Sequence, residues 1–277
     1  MQYHHVAEQI GVRHATGRLT VPVLPVGARV VLGVINDPAV GIQALVQVIS
    51  RDPSLSAHVL KYANAPLLRT GTVILSVDQA IARLGTRIVA DVVFAACIGP
   101  RLFRAPLYNA HIARIWEESL ATALWANEVA QARGQEMEAI FLCGLLHQIG
   151  LSVVLQAVQE ILGPAPQQTL SSDELDALLQ GFGVIAGLDV ASRWKLPEPI
   201  AETIAHVHDA GVAVNRRALV ASVSAARAFA LAMLAESQPR AQTLAAMPQV
   251  QAAGLDHAAV EQLLTKVDAV RQVLRPE

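Results

Sequence analysis

His147 and Gln148 close an apolar stretch, Phe141–Gln148, that reads FLCGLLHQ. A His followed by a carboxylate is a familiar metal-binding step. Here the second position is a neutral amide, so the step is incomplete. Cys143 stands four residues before His147, on the same side of a helix. A Cys–His metal pair is conceivable there, but the surrounding residues are apolar all round, and a free Cys in such a helix is usually a small buried hydrophobe. His206, His208 and Asp209 lie together further on. Two residues apart, the histidines point to different sides of a helix, and a His near a helix end commonly caps it. His208 with Asp209 keeps functional interest, because a helix end can aim both inward. His4, His5 and His14 read as surface residues.

The elements that must position these groups are helices. Ile42, Leu45, Val46 and Ile49 follow i, i+3, i+4, i+7 spacing. Asp52 and Pro53 then suit the cap and first position of a second helix, with Leu55, Val59, Tyr62 and Ala63 as its stripe. Ser76 with Gln79, and Ser171 with Glu174, read as capping boxes. Gly85 reads as a helix stop, and Thr86 as the cap of the next helix. Long helical patterns cover about 108–133 and 136–162, the second broken near Gly150. Further helices are expected near 182–194, 197–207, 215–235 and 256–274. Asn36, Asp37 and Pro38 read as a turn, and the loop 163–172 as exposed and mobile. No strand pair or repeat is evident, so the fold class is all-α.

Composition narrows the function. The 277 residues are 53% hydrophobic, 16% charged and 4% aromatic, which excludes disorder and suits an aliphatic helical core. A net charge of −2 argues against a protein held to nucleic acid by phosphate contacts. Residues 41–64 could be a helix-turn-helix, yet the second helix offers only His58, Lys61 and Asn64. Two packed helices are the preferred reading, and no DNA partner is expected. Two distant cysteines, Cys97 and Cys143, fit a reducing compartment. No signal peptide is read at the start. The apolar run 218–235 carries Arg227 near its middle, which costs roughly 2.5–3.5 kcal/mol in a bilayer. A buried helix is expected instead, with no membrane partner and a cytoplasmic location.

The order of VPVLPVGARVVLGVINDP, LVQVISRDPSLSAHVLKYAN, SVDQAIARLG, FLCGLLHQIG and RWKLPEPIAETIAHVHD resembles the HDOD family, HD-related output domains of bacterial signalling proteins. The resemblance covers about residues 20–212. It implies an N-terminal helical part over 20–105 and a part similar to HD phosphohydrolases over 106–215. Residues 1–19 remain as an N-terminal segment, and 216–277 as a helical extension packed on the HD-like part. Carried over position by position, the HD metal ligands fall on Glu118, His147, Gln148, Gly183, His208 and Arg227; only two histidines survive. Two divalent ions roughly 3.5–4 Å apart need an anionic bridge, and Gln148 is neutral. The resemblance therefore implies a degenerate metal site with no cofactor and no catalysis. The expected partner is another signalling protein, with a nucleotide second messenger as an alternative ligand. A residual one-metal phosphodiesterase on Glu118, His147, His208 and Asp209 is the rival. A Glu118–Arg227 ion pair is expected to neutralise the old site.

Overall fold

Helices account for every regular element among the described residues. The structure, a computed structural model, describes residues 2–36, 38–67, 72–135, 137, 139–164, 170–213, 215–235 and 238–274. In chain order the α-helices are α1 Gln2–Ala15, α2 Val26–Asn36, α3 Pro38–Arg51, α4 Pro53–Ala63, α5 Val77–Cys97, α6 Asn109–Ala132, α7 Ile140–Leu146 and α8 Ile149–Leu162. They continue as α9 Ser172–Trp194, α10 Glu198–His206, α11 Arg217–Ala235, α12 Ala241–Ala245, α13 Pro248–Ala252, α14 His257–Leu264 and α15 Val267–Leu274. The chain is all-α.

Contacts divide the chain into two compact units that cut across the expected boundaries. One combines residues 1–22 with 100–260, the other 23–99 with 261–277. The N-terminal segment is thus not separate, and the C-terminal extension is shared between the units.

In the second unit, α2 packs on α3 and α5, and α4 packs on α5. Leu45, Ile49, Val59 and Phe94 are fully buried, whereas Ile42, expected on the same stripe, is 49% exposed. Asp52 caps α4 by accepting from the Ser54 and Leu55 amides at 2.9 and 3.3 Å. Ser76 accepts from the Gln79 amide, but the Gln79 side chain reaches back to the Leu75 amide at 2.8 Å, one residue before the expected box partner. Gly85 takes φ 83° and kinks α5 where the stop is expected. Asn64 is structural: its amide group holds the Ile74 N–H and C=O, both at 2.8 Å. That removes one of three polar side chains from any DNA-reading face. Asp37, in the expected turn, lies outside the described residues.

In the first unit, α6 packs on α7 and α11, α8 on α9, and α10 on α7, α9 and α11. Trp125 of α6 and Phe229 of α11 meet with ring centroids 5.2 Å apart. α1 packs on α8 and α9 through fully buried Val6 and Ile10. His14 bonds Asp189 at 2.8 Å, so it is not a free surface residue. Two glycines permit close approach. A Cβ on Gly144 would stand 2.6 Å from the Ala123 Cα, and one on Gly150 would stand 2.0 Å from the Gly183 carbonyl oxygen. Ser171 and Glu174 form the full capping box and start α9 where expected, and α9 runs unbroken from Ser172 into the helix expected near 182–194. The expected break at Gly150 falls instead at Gln148, whose φ of −124° leaves the helical region. Of the expected loop, residues 165–169 lie outside the described residues. Ile140–Leu162, Ser172–Trp194 and Arg217–Ala235 are long and apolar enough to cross a membrane by length and composition; in the folded unit, 94% of the first window is buried against protein.

Candidate functional site

The break between α7 and α8 sets the site. His147 ends α7, and its Nδ1 bonds the Gly144 carbonyl at 2.7 Å. A carbonyl only accepts, so Nδ1 carries the ring proton and caps one of the carbonyls that a helix end leaves open. Nε2 then presents a lone pair. It is buried and has no hydrogen-bond partner among the described residues. His147 is 3% exposed. Burial pushes its pKa down to about 3, against the weaker opposing effect of the Gly144 bond, with further lowering by the charges of Arg227 and His208. The ring is neutral at physiological pH.

Gln148 opens α8 and is buried. Its Nε2 donates to the Ile115 carbonyl at 3.0 Å and to the Ser119 hydroxyl at 3.2 Å. The amide ties the helix break to α6. An ionised Asp could not donate these bonds.

Glu118, on the same helix as Ser119, is engaged by Arg114 one turn earlier, Nε to Oε1 at 3.1 Å. In place of the expected Glu118–Arg227 ion pair stands a local i,i+4 pair, whose spacing the α-helix sets. Arg227 is nevertheless in the same neighbourhood. Burial lowers its pKa, and the Glu118 charge partly restores it. Its Nε–H is buried and has no hydrogen-bond partner among the described residues. His208 is exposed; partial desolvation first, then Arg227, pushes its pKa below the ordinary value.

The Arg227 charge thus reaches His147 and His208, and the Glu118 charge reaches Arg227. Gln148 adjoins them in sequence. Gly183 brings no donor. It lies in the close α8–α9 crossing, where a Cβ would meet the Leu151 Cδ2 at 2.6 Å. Cys143 is fully buried in α7, as an apolar residue would be. Asp209 accepts from the Gly211 amide at 3.1 Å and caps a single turn of 3₁₀ helix. Sequence reasoning missed Arg114 and Ser119. The Arg114–Glu118 spacing is a legible signal; nothing in the sequence singles out Ser119.

A divalent metal pair does not fit these residues. The bridging carboxylate is an amide already spent on α6, one ligand position is Gly, and another is a cation. Among the described residues, no group of three or more His, Cys, Asp or Glu side chains converges to hold a metal ion.

An all-helical chain with a His–Gln step at a buried helix break is the arrangement that the family comparison addresses. The chain belongs to the HDOD domain family, whose sequence pattern it matches over residues 21–210. Its fold is that of an HDOD domain protein of unknown function from Geobacter sulfurreducens, with 21% identity, TM-score 0.73, and 98% and 97% of the two chains covered. A protein from Shewanella amazonensis, provisionally called a metal-dependent phosphohydrolase, is 17% identical with TM-score 0.76, and 99% of each chain is covered. An uncharacterised protein of Treponema pallidum (strain Nichols) is 26% identical over 196 residues, which is 68% of this chain. The chain spans 38% of the length of that relative.

Proposed function

We propose that this chain is a non-catalytic signal-transduction module that works in the cytoplasm by binding a protein partner, and that its HD-type metal site is degenerate. The observation that carries this reading is the guanidinium of Arg227 among the former ligand positions. Its charge acts on His147 and His208 and is itself acted on by Glu118. A fixed cation there opposes a divalent ion, and Gln148 cannot supply the anionic bridge that two metals need. Without a metal-activated water, no side chain here is placed as a substitute nucleophile or base. Family membership supports the signalling role, and the small number of basic side chains on α4 supports a protein partner over DNA.

Two measurements test the reading. Elemental analysis of the purified chain is expected to give less than stoichiometric Fe, Mn and Zn. One metal per chain, lost on His147→Ala, would overturn the degenerate site. Assays on cyclic dinucleotides and simple phosphodiesters are expected to show no metal-dependent turnover. Turnover that disappears in the His147→Ala, His208→Ala double variant would make the chain an enzyme. For the partner, affinity capture from the native host followed by direct binding of the captured protein to the pure chain is the measurement. Failure of every captured protein to bind directly would remove the interaction role.

A further inference from the structure

Helix α1 is attached to the first unit by few contacts, and they fall on one stripe. Val6 and Ile10 are its buried residues. Gly11 brings it close to α9, where a Cβ would stand 3.9 Å from the Phe182 Cε1. Arg13 Nη1 bonds the Glu160 carboxylate of α8 at 2.9 Å, and His14 Nδ1 bonds the Asp189 carboxylate of α9 at 2.8 Å. Positions 6, 10, 13 and 14 share one helix face. Arg13 and His14 are consecutive, so Glu160 and Asp189 stand side by side at one end of α1. The helix thus lies in a groove between α8 and α9 that takes apolar side chains along its length and is acidic at one end.

The segment after α1 is fastened separately. Gly17 turns the chain at φ 65°. Leu19 is buried. The Gly17, Thr20 and Pro22 carbonyls accept from Arg193 at 2.6 Å, Gln156 at 3.4 Å and Trp194 at 2.9 Å. α8 and α9 are joined without α1 at Gly150, where main chain stands against main chain. A helix of 14 residues is marginal in water by itself, and partly exposed ion pairs hold weakly. Local opening of α1 therefore breaks little else.

We propose that the α8–α9 groove is the docking site for a helix of the protein partner, and that α1 is its displaceable occupant within the chain. The partner helix carries the α1 pattern: two apolar residues four apart, then cations one turn later that meet Glu160 and Asp189. Docking is of the helix-in-groove kind. α1 lowers the partner's apparent affinity by the fraction of time it fills the groove. This inference rests on the partner-binding reading given above and names the surface that reading needs.

Hydrogen exchange of the full, unaltered chain is the first test. The α1 amides are expected to exchange about a hundredfold or more faster than those of α8, through local opening. Ile10→Glu is expected to release α1 while α8 keeps its protection. A fluorescent peptide of residues 2–15 is expected to bind the Ile10→Glu chain about tenfold or more tightly than the unaltered chain, whose groove is filled. The same peptide carrying Arg13→Glu and His14→Glu is expected to lose about tenfold or more, because like charges then meet. Four results would each overturn the proposal: α1 as protected as α8, loss of α8 protection in Ile10→Glu, a peptide that binds both chains alike, or a charge-reversed peptide that binds as well as the first. None of these measurements uses the partner, so such a failure leaves the partner-binding reading to its own test of direct binding.

Discussion

Polar side chains of α8 and those beside its start, all in apolar surroundings, are treated in opposite ways. At the C-terminal end, Gln156 accepts from the Arg104 amide at 3.0 Å and donates to the Thr20 carbonyl at 3.4 Å and to Glu160 at 3.2 Å. Gln159 accepts from the Leu107 amide at 3.0 Å. Glu160 accepts from Arg13 and Thr20 at 2.9 and 3.0 Å. These bonds join α8 to the segment before α6 and to the chain following α1. Gln148, at the start of α8, is bonded to α6, but beside it His147 Nε2 at the end of α7 and Arg227 Nε of α11 have no hydrogen-bond partner among the described residues. Buried polar groups are normally paired. A paired network of this kind holds the fold.

That contrast can be broken first at the backbone beside the site. Gly150→Ala puts a Cβ 2.0 Å from the Gly183 oxygen and 2.3 Å from the Gly187 nitrogen, both main-chain atoms. Main chain cannot swing aside as a side chain does, so α8 and α9 must separate. The expected loss is about 3 kcal/mol or more, read by urea denaturation. A loss below about 1 kcal/mol would mean that the helices do not cross this closely.

Acid sharpens the comparison next. His147 in the folded chain keeps its proton off down to about pH 3, against an ordinary 6.5. Between those values the unfolded chain binds the extra proton, so stability falls as pH falls. Asp91, buried in α5, does the reverse. Burial raises its pKa to about 7 from 3.8, and the Arg87 charge opposes the shift. Between 3.8 and 7 the folded chain holds the proton and the unfolded chain has lost it, so stability falls as pH rises. The two slopes oppose each other between pH 3.8 and 6.5. Asp91→Asn should expose the acid loss, and His147→Leu should expose the gain on acidification, each on the order of 2 kcal/mol between pH 7 and 4. Two variants with the same sign of slope would show that one assignment is wrong.

Much of the fold is legible in the sequence because helical periodicity and capping are local. Leu45, Ile49, Leu55 and Val59 fall on buried stripes, and Asp52, Ser171 and Gly85 act where their chemistry places them. What is not legible is long-range. α1 has only Val6 and Ile10 to bury, too few for a clear stripe, yet it docks on α8 and α9. The break of α7 from α8 belongs to Gln148 rather than Gly150, because side-chain bonds to α6 decide it and no propensity does. At the site, the aligned positions are readable one by one. Which carboxylate meets which cation is not: Glu118 turns to Arg114 on its own helix. Gln156, Gln159 and Glu160 were the available sign of the satisfied network, three polar residues at helical spacing in an otherwise apolar helix.

The smallest effects distinguish α8 from the end of α7 most directly. Gln156→Leu removes the partner of the Arg104 amide and one partner of the Thr20 carbonyl. It is expected to cost about 1–2 kcal/mol, since groups left without partners lose more than the bond itself was worth. His147→Leu at pH 7 removes the Nδ1 bond to Gly144, but it also removes an unpaired buried acceptor, and it fills a buried space with an apolar group of similar size. The loss of the cap and the relief of the orphan atom nearly cancel. The ring is neutral in the folded chain and mostly neutral in the unfolded chain at that pH, so proton linkage adds little. The expected change is below about 1 kcal/mol and of either sign. Urea midpoints of the two variants, measured side by side at pH 7, decide it. If His147→Leu costs more than Gln156→Leu, then His147 is held for stability, and the distinction between a bonded end and an open end fails.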